Sequence, residues 1–147
     1  MRSVPVLLSA ALAVTVLAGC SSQSNSKEAD DYSGTDKAVV TVVDDLINAA
    51  AKKDGKEICT TILSSDRVAE LNSDGHNCAD AVDDQLDDAS NFDLDVTKVT
   101  VTGDTAQVVT KSDFNTADDT VRTLSLTKQD NDWRISCMFA PGTSSCS

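Results

Sequence analysis

The apolar residues of this chain change their spacing once, near residue 90, and that change limits the folds open to it. Before that point they recur every three or four residues, as on one face of a helix. After it they alternate, as on one face of a strand. Helices first and strands second, within 147 residues, give the expectation of one α+β domain: three N-terminal helices followed by a meandering antiparallel sheet.

The helical half divides at its breakers. Asp36 to Lys53 reads as the first helix, with Val39, Val40, Val43, Leu46, Ile47 and Ala50 on one face and Asp44, Asp45 and Asn48 largely on the other. Lys52 and Lys53 complement the negative end of its dipole, and Asp54-Gly55 is read as the stop. Glu57 to Leu63 gives a second, shorter helix in which Ile58 matches Ile62 and Cys59 matches Leu63. A brief helical piece follows over Asp66 to Leu71, and Asn72 to Gly75 is a loop. Asn77 has the character of an N-cap, with Asp80 as its capping partner, so the third helix runs from Cys78 to Ala89.

The strand half carries its own register. Phe92, Leu94 and Val96 alternate, then the apolar parity switches to Val99 and Val101, which predicts a bulge at Thr97-Lys98. A two-residue turn at Gly103-Asp104 sets Val101 opposite Ala106 and Val99 opposite Val108. Val121 to Lys128 is the next strand. A tight turn at Asp130-Asn131 then sets Leu126 opposite Ile135 and Leu124 opposite Cys137. Trp133, Ile135, Cys137 and Phe139 are expected to alternate inward.

Residues 1–19 do not belong to this pattern. Arg2 precedes an apolar run from Val4 to Val16, which ends in Leu17-Ala18-Gly19-Cys20. The run is shorter than the roughly 20 residues of a spanning helix, and the four residues that close it resemble a bacterial lipobox. The resemblance implies cleavage before Cys20 and a diacylglycerol on its thiol, which places the protein on the extracytoplasmic face of the cell membrane. Residues 20–35, rich in Ser and Asp, are then expected to be a disordered tether that includes Tyr32, and residues 36–147 the domain.

With Cys20 assigned to lipid, four of the five cysteines remain, an even number for an exported chain. Four allow three connectivities. The preferred pairing is Cys59–Cys78, which staples the second helix to the third, and Cys137–Cys146, which pins the C-terminus after Pro141-Gly142. The first closes a loop worth about 3 kcal/mol by chain entropy. A formal charge of −12 repels nucleic acid and anionic head groups, so neither is expected as a partner.

Three stretches carry a further resemblance. Ala49-Ala50-Ala51-Lys52-Lys53-Asp54-Gly55-Lys56-Glu57-Ile58-Cys59 resembles the helix–Asp–helix junction of the nuclear transport factor 2-like superfamily. Val99 to Val108 resembles its central hairpin, and Leu124 to Ile135 its last one, where a tryptophan follows the turn. The chain is similar to actinobacterial envelope lipoproteins of that superfamily. The resemblance implies a cone: a curved sheet wrapped around a long helix, with a cavity at the open end. Isomerase-like and cyclase-like members use an acidic or histidine base in the cone, with tyrosine or a protonated carboxyl at the oxyanion.

That set is not visible here. Tyr32 falls before the predicted domain, and the single histidine, His76, falls in a loop. Asp95 alternates away from Leu94 and Val96. The pairs Asp44-Asp45, Asp83-Asp84, Asp87-Asp88 and Asp118-Asp119 read as solvated faces without calcium-loop spacing. No phosphate loop, nucleophile elbow or CxxC is present. The expectation is a non-enzymatic, lipid-anchored envelope protein without cofactor or metal. It binds a small apolar ligand or docks a protein, and is a monomer or weak homodimer. The alternatives are a cyclase- or isomerase-type enzyme and a structural, dimerising domain. The outer sheet face, with Thr100, Gln107, Ser125 and Arg134, is too polar for an obligate interface.

Overall fold

The computed structural model describes residues 29–73, 75, 77–88, 92–112 and 120–139. A short 3₁₀ turn, Ala29–Asp31, precedes α1 (Gly34–Ala51). Then come α2 (Gly55–Glu57), a π-helical turn (Ile58–Ile62), α3 (Ser65–Ser73) and α4 (Cys78–Asp88). Four strands follow: β1 (Asp95–Thr102), β2 (Thr105–Ser112), β3 (Thr120–Gln129) and β4 (Asp132–Phe139). They form one antiparallel sheet in the order β1-β2-β3-β4, and α1 packs against β1 and β4.

All six apolar residues predicted for the face of α1 are buried, and Ala49 joins them. Its C-terminus is not built as expected. The left-handed residue is Lys53, at φ +54°. The Lys53 N–H donates to the Ala50 carbonyl at 3.0 Å and the Asp54 N–H to the Ala49 carbonyl at 2.9 Å, which together make a Schellman cap. Gly55 does not supply the stop. It is buried against α4, where a Cβ would come within 2.6 Å of the Ala79 carbonyl oxygen. Its N–H donates to Asp83 Oδ1 at 2.8 Å. Close approach of two helices, not backbone handedness, requires glycine there.

The second predicted helix has α pitch only in α2 and continues as a π turn, in which the Leu63 N–H reaches the Ile58 carbonyl, five residues back, at 2.9 Å. Ile58 and Ile62 are both buried, so the predicted apolar face survives the change of pitch. Leu63 then turns extended and bridges Ile135 in parallel, and the Ser64 N–H donates to the Ile135 carbonyl at 2.9 Å. This short piece covers part of the β4 edge, which would otherwise offer unpaired backbone groups.

The brief helical piece is a nine-residue helix, α3, so the helical layer holds more than three elements. Buried Ser64 caps it, accepting from the Arg67 N–H at 3.3 Å. Gln129 accepts from the Ser65 N–H and donates to Ser65 Oγ, both at 3.1 Å, tying the helix start to the last turn. At α4, Asn77 Oδ1 accepts from the Asp80 N–H at 3.1 Å while the Asn77 amide donates to Asp80 Oδ2 at 2.6 Å, the predicted cap.

The register matches the alternation over most of the sheet. Val101 pairs Ala106, Val99 pairs Val108, Leu126 pairs Ile135, and the β1 bulge falls between Val96 and Lys98. Gly103 takes φ +59° in its turn, and Asp130 and Asn131 take φ +52° and +72° in theirs, as a type I′ turn requires. One pairing is corrected: Leu124 faces Met138, and Cys137 pairs Ser125. Ser136 is the extra residue of a second bulge, its hydroxyl donating to the Ser125 carbonyl at 3.1 Å. Trp133 and Ile135 point into the core as predicted, but beyond the bulge it is Met138 that packs against it. The Phe139 side chain lies outside the described residues.

The core is the space between α1 and the inner sheet face. Val39, Val40, Val43, Leu94, Val96, Val108 and Leu124 have no exposed surface there. The packed domain includes residues before 36. Ala29 and Tyr32 pack against the core, and the Ala29 N–H donates to Asp44 Oδ2 at 3.1 Å. Tyr32 is therefore part of the domain.

Candidate functional site

The inner sheet face changes character along its length. Near the two tight turns it is apolar, with Ala106, Leu126 and Ile135 buried. Toward the other end, the same alternation brings Thr110, Ser112 and Arg122 to that face. Thr110 is fully buried and Ser112 is 2% exposed. Thr110 pairs Arg122 across the strands, and its hydroxyl lies 3.5 Å from the Arg122 carbonyl. The half-buried Arg122 sends Nη1 to within 4.0 Å of Met138 Sδ. Two hydroxyls, a guanidinium and a thioether thus succeed an apolar floor. Of these, Arg122 and Met138 keep part of their surface exposed, and none of the four is a general base at neutral pH.

Two grooves lie elsewhere. One, of about 570 Å³, crosses the outer sheet face and is lined by Thr100, Gln107, Ser125, Thr127 and Ser136, with Asp66 at its rim. The other, of about 460 Å³, runs between the π turn, α3 and the β3–β4 turn. Its lining includes Cys59, Leu63, Val68, Gln129 and Arg134. The Arg134 guanidinium there donates to the Thr60 carbonyl at 3.2 Å.

The predicted Cys59–Cys78 disulfide is formed, with 6.1 Å between the Cα atoms. It joins the π turn to the first residue of α4. Cys137 is buried, and its predicted partner Cys146 lies outside the described residues, as do Cys20 and His76. Asp95 is exposed, as the alternation required.

The acidic pairs are more than solvated faces. Asp44 receives the Ala29 N–H, Asp83 the Gly55 N–H, and Asp87 pairs Lys53 Nζ at 2.7 Å. Asp118 and Asp119 lie outside the described residues. Partial burial raises the Asp45 carboxyl above its ordinary range, and the charge of Glu57 adds to this. Lys37 lowers that of Asp30 through a hydrogen bond and its charge. Among the described residues, no three His, Cys, Asp or Glu come together as a metal site, and no helix is long and apolar enough to cross a membrane.

Sequence reading had missed the inner hydroxyls and Arg122. Their signal was the parity of β2 and β3, which carries Thr110, Ser112 and Arg122 to the side of Val108 and Leu124.

No protein-family model matches the chain, and no curated protein matches it. Two solved structures are similar to it. One is RPA3114, a SEC-C motif-containing protein from Rhodopseudomonas palustris: 16% identity, TM-score 0.51, 67% of this chain and 75% of that one covered. The other is a variant of Rd1NTF2_05: 9% identity, TM-score 0.52, 71% of this chain and 97% of that one covered. At such identities the likeness concerns the fold, which is α+β of the nuclear transport factor 2-like type, with N-terminal helices on a four-stranded antiparallel sheet.

Proposed function

We propose that this protein is an exported, lipid-anchored binding domain at the extracytoplasmic face of the cell membrane, without catalytic activity of its own. Its ligand is a small, largely apolar molecule with one polar end, taken up at the inner sheet face. The observation that carries this reading is the polar end of that face, where the half-buried Arg122 and Met138 follow the buried Thr110 and Ser112 at the margin of the core. A cation and a thioether at the margin of an apolar core suit an amphiphile better than an isomerase-type reaction, which needs a placed base. The export reading is supported by Leu17-Ala18-Gly19-Cys20 and by the Cys59–Cys78 disulfide, a bond that persists where thiols are oxidised.

The anchor is tested by replacing Cys20 with Ala. The variant is expected in the soluble fraction with the Cys59–Cys78 bond intact; a variant still held in the membrane would refute the anchor. The ligand is tested by native mass spectrometry of protein gently extracted from its own membrane. A non-covalent mass that disappears on denaturation, and whose occupancy falls in Arg122→Ala, supports the binding reading. Native and denatured masses that agree would remove it.

A further inference from the structure

We infer that Cys59–Cys78 is an exchangeable disulfide, attacked at Cys59 by an external thiolate, and that its opening unlatches α3 from an otherwise intact domain. The two sulfur-bearing residues are unequally accessible. Cys59 is half-buried and lines the 460 Å³ groove, whereas Cys78 is 4% exposed. A nucleophile in the groove therefore meets the Cys59 sulfur, and displacement in line expels Cys78. Arg134 lines the same groove and donates to the carbonyl of Thr60, the residue after Cys59. Its charge favours an anionic attacker there.

The leaving sulfur is placed to carry charge. Cys78 is the first residue of the eleven-residue α4, so its thiolate would sit at the positive end of the helix dipole. The acidic neighbour in that turn, Asp80, is tied to the Asn77 amide at 2.6 Å. The chemistry balances with a dithiol as co-reactant. Its first thiolate forms a bond to Cys59 Sγ as the Sγ–Sγ bond breaks, leaving Cys78 as thiolate. Its second thiolate then attacks the reagent's own sulfur in that mixed disulfide and releases Cys59. The dithiol loses two electrons and becomes a disulfide; the protein gains two thiols.

What the bond holds is the segment between the two cysteines. α3 has no buried residue. Its ties include polar ones, the Ser64 N–H on Ile135, the Ser65–Gln129 exchange, and Asn72 Oδ1 accepting from the Cys78 N–H at 2.8 Å, and Leu63, which leads into it, packs against the core. The core lies in α1 and the inner sheet face and does not include α3. Such a segment opens at lower free energy than the core.

The test uses the intact, oxidised protein and glutathione, an anionic monothiol that has no second thiol to resolve the mixed disulfide, which acid quenching then traps. After alkylation, trypsin cuts at Arg67 and separates the two cysteines. The glutathione adduct is expected on the Cys59 peptide and the alkyl group on Cys78, with the reverse product about tenfold rarer. Amide exchange in the adduct should accelerate at least about tenfold over α3 through an opening of its own, while α1 still opens only with global unfolding. Arg134→Ala should slow the reaction several-fold with glutathione but not with neutral 2-mercaptoethanol. An adduct mainly on Cys78, a bond that yields only in denaturant, or a single opening free energy shared by α1 and α3 in the adduct would each overturn the inference.

Discussion

Helices α1 and α3 are both amphipathic, and they are held in opposite ways. In α1, seven side chains are buried, and three of them, Val39, Val40 and Val43, have no exposed surface. In α3, none is buried. Each well-buried aliphatic side chain contributes about 1.5–3 kcal/mol, whereas each neutral hydrogen bond contributes only about 1 kcal/mol net. The first helix is thus part of the cooperative core. The second is a strap, closed at its ends by a disulfide and along its length by a few polar ties. A sheet with one helical layer can spare the strap and keep its fold.

Leu124→Ala removes a fully buried side chain beneath α1 and should destabilise the whole domain by about 3 kcal/mol in denaturant unfolding. Val68→Ala, in α3, should cost less than about 1 kcal/mol, because Val68 is only half-buried. Equal losses at the two sites would erase the distinction. Removing the disulfide by Cys59→Ser with Cys78→Ser should cost about 3 kcal/mol by chain entropy, with near-native circular dichroism from the sheet retained. Next comes Gly55→Ala, which drives a methyl group toward the Ala79 carbonyl and should cost about 1–3 kcal/mol through the α2–α4 contact.

The smallest effect is one of pH. The Asp45 carboxyl has a raised folded pKa, so the folded state binds its proton more tightly than the unfolded one. The associated stability is full below the unfolded value near 3.8 and is lost as pH rises through the folded pKa. Asp45→Asn should therefore gain on the wild type between acid and neutral pH, by less than about 0.5 kcal/mol since the group is largely exposed. A gain that grew toward acid pH would contradict the assignment.

Where the chain revealed its structure, the information was local. The β1 bulge was legible because Val96 and Val99 break parity, and the turns at Gly103 and Asp130-Asn131 fixed the pairing on either side. The bulge at Ser136 was not, because Cys137 and Phe139 continue an apparent alternation after Ile135. Asp54-Gly55 looked like a helix stop, but the demand on Gly55 comes from Ala79 and Asp83, on a helix that the local sequence does not show. The same holds for Asp44, whose partner Ala29 lies in a stretch with too little apolar content to read as structure. The Cys59–Cys78 pairing was legible because both cysteines fell on inward faces of adjacent helices. Arg122 was not, because a single cation in a strand carries no sign of which face it serves until the register is known.

The measurement that tests the division between core and strap most directly is native-state hydrogen exchange on the oxidised protein in low denaturant. Amides of α1 and of the central strands β2 and β3 should open only with global unfolding. Those of α3 should open earlier, with a separate and smaller free energy and little dependence on denaturant. A single opening free energy shared by α1 and α3 would show that the two helices belong to one cooperative unit and would contradict the account.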